Sequence, residues 1–168
     1  MTAHPATTRG FSLPELAIVL AVTALIAGLG VSAYKTYVVR AEIAQGIAFA
    51  AHAEDQVTKS FGRYGEPPAD GEAAGLSPAM QDGGPHSDSI GVVDGRIDLH
   101  FGSEADNAIA GRTLSLTPFE TVDGEVLWIC GNRIPGPGLK PLGFANGARQ
   151  AVQVVTQIEP RYLPSTCR

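Results

Sequence analysis

Between Leu16 and Tyr34 the chain runs nineteen residues without a charged side chain, and only Thr23, Ser32 and the terminal Tyr34 among them carry a polar group. At about 1.5 Å per residue, a helix of that length just crosses the roughly 30 Å hydrocarbon core of a bilayer. No proline falls between Pro14 and Pro67. Helical spacing also continues past the apolar run. Tyr37, Ala41, Ala44, Ala48 and Ala51 alternate steps of four and three, which places them on one helix face. Lys35, Arg40, Glu42, Glu54 and Lys59 bring charge to this second half. The pattern predicts a single helix over residues 11–61, apolar all round across 11–34 and amphipathic beyond.

The start of that helix is marked by Pro14. Proline is tolerated in the first turn, where its missing N–H has no intrahelical partner, so the helix begins near Phe11 or Ser12. Glu15 then stands at the mouth of the apolar run. Ser12-Leu13-Pro14-Glu15 has capping-box spacing, with Ser12 as cap and Glu15 reaching back, which accounts for an acid here without further function. The carboxylate is nonetheless costly beside lipid unless paired. The competing reading of the whole run is a secretory signal peptide cut after Val31-Ser32-Ala33. Against it stand a weakly basic start, an apolar core longer than usual, and a helical pattern that does not stop at Ala33. Gly28 and Gly30 are helix-weakening residues inside the run, each costing about 1 kcal/mol relative to alanine.

Past residue 61 the texture changes. Residues 62–89 are rich in glycine, proline and acids, as an irregular connection is. "IGVVDGRIDLHF", 90–101, reads as a hairpin turning at Asp94-Gly95, a favoured type I′ pair. Thr113–Thr117 and Val126–Cys130 give two more strands. The predicted fold class is α+β: the long helix covers one face of a four-stranded antiparallel sheet, with alanines permitting close approach. "QAVQVVTQI", 150–158, is either an added strand or a packed turn.

Cys130 and Cys167 are the only cysteines. An oxidising compartment beyond a membrane favours a disulfide between them over metal ligation, with buried free thiols as the remaining alternative. His4, His52, His86 and His100 are dispersed and have no metal-ligand spacing with the cysteines. Asp82, Asp88 and Asp94 lie in or near loops without an EF-hand pattern. No nucleophile motif or phosphate-cradling loop is present, so the sequence offers no catalytic residues, metal site or cofactor. Charge is segregated: residues 62–130 carry twelve acids against three cations, and residues 131–168 carry five cations against Glu159 alone. Over the whole chain the net charge is −5, which gives no general signature of polyanion binding.

Gly10-Phe11-Ser12-Leu13-Pro14-Glu15-Leu16, followed by an apolar helix with Tyr34 and Tyr37 just past it, resembles the N-terminal signature of type IV prepilins. "ADNAIAGRTLSLTP", 105–118, resembles a stretch of the pilin head, and "WICG", 128–131, and "YLPSTCR", 162–168, resemble its two cysteine contexts. The resemblance implies a leader over residues 1–10, an N-terminal helix over 11–61 and a head over 62–168 with a disulfide loop closed by Cys130 and Cys167. It implies cleavage between Gly10 and Phe11 by a prepilin peptidase, N-methylation of Phe11, and an assembly role for Glu15, paired with the Phe11 amine of a neighbouring subunit. It further implies an inner-membrane precursor with a single span, an assembly platform, and an extracellular homopolymer on a Gram-negative cell, used for motility, adhesion and DNA uptake. DNA and surface ligands are then possible partners. Ser32 stands where many such chains have a helix proline. A minor pilin, a type II secretion pseudopilin and a membrane-anchored binding module that does not polymerise are the rival readings. A secreted enzyme is disfavoured by the missing catalytic residues.

Overall fold

The computed structural model describes residues 10–145 and 149–168, so the expected leader, apart from Gly10, lies outside the described residues. The chain divides into two units, one ending at Thr36 and the other spanning Tyr37–Arg168. Helix α1, Leu13–Tyr64, contributes to both.

In the first unit α1 starts at Leu13, because the N–H of Leu16 donates to the carbonyl of Ser12 at 3.1 Å and Ser12 is therefore the last residue before the helix. The helix is unbroken through Gly28 and Gly30. Its large apolar side chains face outward: Leu16, Ile18, Val19, Leu20, Leu25 and Ile26 are all at least half exposed. Thr23 satisfies its hydroxyl internally, donating to the Val19 carbonyl at 2.6 Å. By length and composition this helix is able to cross a membrane.

The second unit has its own core. Val39, Ile43, Gly46, Ala50, Ala53, Val57 and Ser60 recur at steps of four and three and are buried. This is not the stripe expected from the sequence. Tyr37, Ala44, Ala48 and Ala51 are exposed and Ala41 is half-buried. Both stripes share the helical rhythm, offset by two residues, which is about 200° around a helix of 100° per residue. The branched side chains of Val39, Ile43 and Val57 remove more apolar surface from water than alanines do, so that side turns inward.

Four antiparallel strands follow: β1 Ser87–Val93, β2 Arg96–Phe101, β3 Thr113–Glu120 and β4 Val126–Cys130, in the order β1-β2-β3-β4. The β1–β2 turn is built on Asp94 and Gly95, with φ of 48° and 81°, as a type I′ turn requires. Ile90, Val92, Ile97, Leu99, Phe101, Leu114 and Leu116 meet the helix stripe in one cluster. The closest approach is at Gly46, where an added Cβ would lie 2.7 Å from Leu99 Cδ2. β3 runs past its expected end through Pro118. Pro118 still pairs with Trp128 of β4, but β2 pairs with β3 only as far as Leu116, so no β2 carbonyl asks for its missing N–H. A two-residue strand, β5 Lys140–Pro141, pairs with β3 beyond that point and was not foreseen.

Residues 149–158 form no strand. They cross the outer face of the sheet and are held there by side chains. Arg96 donates to the Val152 carbonyl at 3.0 Å and also grips Asp98 through two bonds, while Arg112 donates to the Gln157 carbonyl. Thr156 Oγ1 donates to the Thr113 carbonyl at 2.6 Å, and Ser115 donates to Asp98 at 2.7 Å. The Asp98 carboxylate holds the Arg96 guanidinium above its ordinary pKa, chiefly through their hydrogen bonds. Cys130, ending β4, is bonded to Cys167, and both are buried. Closing a loop of 37 residues stabilises the fold by about 4 kcal/mol on the chain-entropy account.

Candidate functional site

Gly10 and Phe11 precede α1 in non-helical chain, and both are exposed. Among the described residues, nothing beyond its own chain neighbours lies within 4 Å of where a Gly10 Cβ would stand. Phe11 is 79% exposed. A protease needs an accessible peptide outside a helix, and Gly10 and Phe11 meet both conditions.

Glu15, in the first turn of α1, folds back onto Ser12. Its carboxylate accepts the Ser12 N–H at 3.1 Å and the Ser12 hydroxyl at 3.0 Å. This is the back-reaching half of the capping box. The serine hydroxyl is spent as a donor to the acid. Pro14 between them has no N–H, so the first turn has one fewer donor to satisfy. Ser12, Pro14 and Glu15 thus act together, and each was visible in the sequence.

The other sequence-derived positions do not join this group. Cys130 and Cys167 hold the end of the head together, as described. His86 and His100 both lie at the open end of the β1–β2 hairpin but bond to different partners: the His86 carbonyl accepts the Gly102 N–H, while His100 Nδ1 meets Thr113 Oγ1 at 2.8 Å. His52 is exposed on α1. Among the described residues, no three of His, Cys, Asp and Glu converge as a metal site. Asp82, Asp88 and Asp94 do not come together there.

Charged residues on the second half of α1 tie down the head's loops. Glu42 accepts the Asp106 N–H at 2.9 Å, and Arg40 donates to the Arg161 carbonyl at 2.8 Å. In the sequence these residues stand out only as charge. Their roles depend on segments more than sixty residues away, which no local pattern announces. Gly46 was missed for a different reason. It lies on the buried stripe, so a correct choice of helix face would have marked it as a contact glycine.

The chain matches a family profile described as pilin, a bacterial filament protein, over residues 39–168. It is 31% identical to a protein named fimbrial protein in Neisseria meningitidis, over 95% of this chain and 94% of that one. It is 32% identical to a type IV major pilin protein PilE1 of Neisseria gonorrhoeae, over 95% of this chain and 87% of the relative. A fimbrial protein EcpC of Eikenella corrodens is 27% identical over 95% of this chain and 90% of its own length.

Proposed function

The chain belongs to the type IV pilin family and is a structural subunit of a pilus rather than an enzyme; on that premise we propose how it is processed and assembled. A prepilin peptidase cuts the Gly10–Phe11 bond, and the new Phe11 amine is methylated. The subunit waits in the inner membrane of a Gram-negative cell, spanned once by the apolar half of α1. An assembly platform then transfers it to an extracellular homopolymer. In that filament Glu15 of one subunit pairs with the Phe11 amine of its neighbour.

The observation that carries this reading is the state of the first unit. Its apolar side chains are exposed on every side of α1, and a single carboxylate stands at the mouth. Exposed apolar area is unfavourable in water by about 25 cal/mol per Å², so something must cover this segment. Lipid covers it in the precursor, and neighbouring helices replace lipid in the polymer. In apolar surroundings a carboxylate persists only when satisfied. The two neutral donors of Ser12 serve the lone subunit. A neighbour's ammonium offers a charge-assisted bond, roughly twice as strong as a neutral one, and so favours docking.

The family's relatives include proteins named major pilins, which supports the reading as the main subunit over a minor one. Motility, adhesion and DNA uptake are the roles we assign to the filament. The test is the intact mass of subunits sheared from cells. The expected species runs from Phe11 to Arg168, carries one added methyl group and has Cys130 and Cys167 oxidised. A mature chain beginning at Tyr34 would restore the signal peptide, and retained Met1 in filaments would reject cleavage.

A further inference from the structure

Two features of the head lie at opposite edges of its sheet. The first is a notch of about 370 Å³ on the β1 side. Phe49, on α1, packs its ring against Gly84 yet remains 48% exposed. Ala79 and Met80 form the facing wall, and His52 and Asp82 stand at the rim. The notch is tied to that edge because the Gln81 carbonyl accepts the Ile90 N–H of β1 at 2.7 Å. The second feature is Arg133-Ile134-Pro135, directly after β4. Ile134 is 86% exposed. Neither Arg133 nor Asp82 has an ion-pair partner among the described residues.

The strand order β1-β2-β3-β4 puts the notch and the exposed isoleucine on the two outer edges, so one chain cannot fill its own notch. The surrounding charge follows the same division. The connector over residues 62–88, which runs beside β1, carries five acids against Arg63. Residues 131–168 carry five cations against Glu159. Such a pair of unlike, complementary patches makes a heterologous contact, which generates an open helical array when the operation does not close. We propose that residues 133–135 of one subunit dock in the notch of the next copy of this chain, with Ile134 against Phe49 and Met80 and Arg133 facing Asp82. The apolar anchor supplies the affinity, and the charged rim sets register. This contact adds to the helix-mediated assembly and rests on the filament reading.

Cross-linking in intact filaments tests it. Cys130 and Cys167 are bonded to each other, so a short bismaleimide will not react with them. A chain carrying both Ala79→Cys and Ile134→Cys should yield a ladder of covalent multiples, and either single variant alone should yield monomer. Filaments of the double variant that remain monomeric after treatment overturn the contact while leaving the pilin reading intact. If paired cysteines prevent filament formation, charge exchange decides. Arg133→Glu and Asp82→Arg should each lower sheared filament yield by roughly tenfold, and the double exchange should recover most of it. No recovery overturns the proposal. So does a result in which Arg133→Glu leaves yield unchanged but lowers DNA retained per filament, since the loop then serves a polyanion and not a second subunit.

Discussion

One helix, α1, meets two opposite demands. Its residues up to Thr36 present leucine, isoleucine and valine around the whole circumference and leave them exposed. Its residues from Tyr37 onward bury one stripe, from Val39 to Ser60, under a sheet of the same chain. The backbone geometry is the same in both, so the difference lies in how wide the apolar sector is. A narrow sector is satisfied by one partner surface, which the head provides. A full circle needs a solvent or a bundle. The head is therefore complete in one subunit, and the first half acquires its final surroundings only in a membrane or a polymer.

The strongest way to break this division is to remove the acid at the mouth of the apolar half. Glu15→Ala deletes the proposed partner of the Phe11 amine and leaves that amine unpaired in an apolar bundle. Truncating one member of such a pair costs about 2 kcal/mol or more, which is at least roughly thirtyfold in each addition equilibrium. Membrane level and cleavage should be unchanged while filament yield collapses. Wild-type yield from the variant would leave the Ser12 cap as the whole role of Glu15.

Cys167→Ser attacks the other side. Loss of the cross-link should lower head stability by about 4 kcal/mol and its melting temperature accordingly, without changing membrane insertion of the precursor. A head whose unfolding is insensitive to reduction would show that the sheet and α1 stripe suffice without the bridge.

Paired glycine substitutions sharpen the comparison at smaller scale. Gly28 has nothing within 4 Å of its Cβ position, whereas at Gly46 a Cβ would lie 2.7 Å from Leu99 Cδ2 and 3.3 Å from Phe101 Cε1. Both targets of the Gly46 contact are fully buried and cannot swing aside freely. Gly46→Ala should cost the head about 1–2 kcal/mol, overpacking outweighing the roughly 1 kcal/mol gained in helix propensity. Gly28→Ala should leave head unfolding unchanged. Equal effects at the two positions would mean that propensity, not contact, governs both.

Much of this architecture was readable because it is written locally. The apolar run, Pro14 at the helix start, the Asp94-Gly95 turn and the four strand patterns depend on neighbours within a few residues. The choice of helix face failed because the two stripes of the second half keep identical spacing, so periodicity alone marks the alanine stripe as readily as the bulkier Val39-Ile43-Val57 stripe. β5 and the extension through Pro118 were illegible for a better reason: the proline is acceptable because β2 has ended beside it while β4 continues, and that is a property of the sheet. The segment 150–158 could be read as an added strand or a packed turn; it forms no strand and is held by Arg96 and Arg112 from the sheet's outer face, a long-range arrangement. At the N-terminus the Ser12–Glu15 spacing foretold their hydrogen bonds, while the partner proposed for Glu15 belongs to another subunit and has no trace in one chain's geometry.

The smallest expected effect separates the two halves by pH. Glu54 lies on the head half of α1, is half-buried, and has its pKa pushed up by burial. A carboxyl whose pKa is higher in the folded state than in the unfolded one binds its proton more tightly when folded. Its contribution to stability is thus full below the unfolded pKa and is lost as pH rises through the folded value. At neutral pH the ionised Glu54 opposes folding of the head. Glu54→Gln keeps the shape and removes the ionisation, so it should raise head stability at pH 7, by less than about 1 kcal/mol given the partial exposure of the site. On acidification through the carboxylate range the variant's advantage should shrink toward zero. The other acids titrate alike in both chains, so the difference between the two stability–pH curves isolates this one group. An advantage that stayed constant from pH 7 to pH 4 would mean that glutamine packs better there for reasons unconnected with charge.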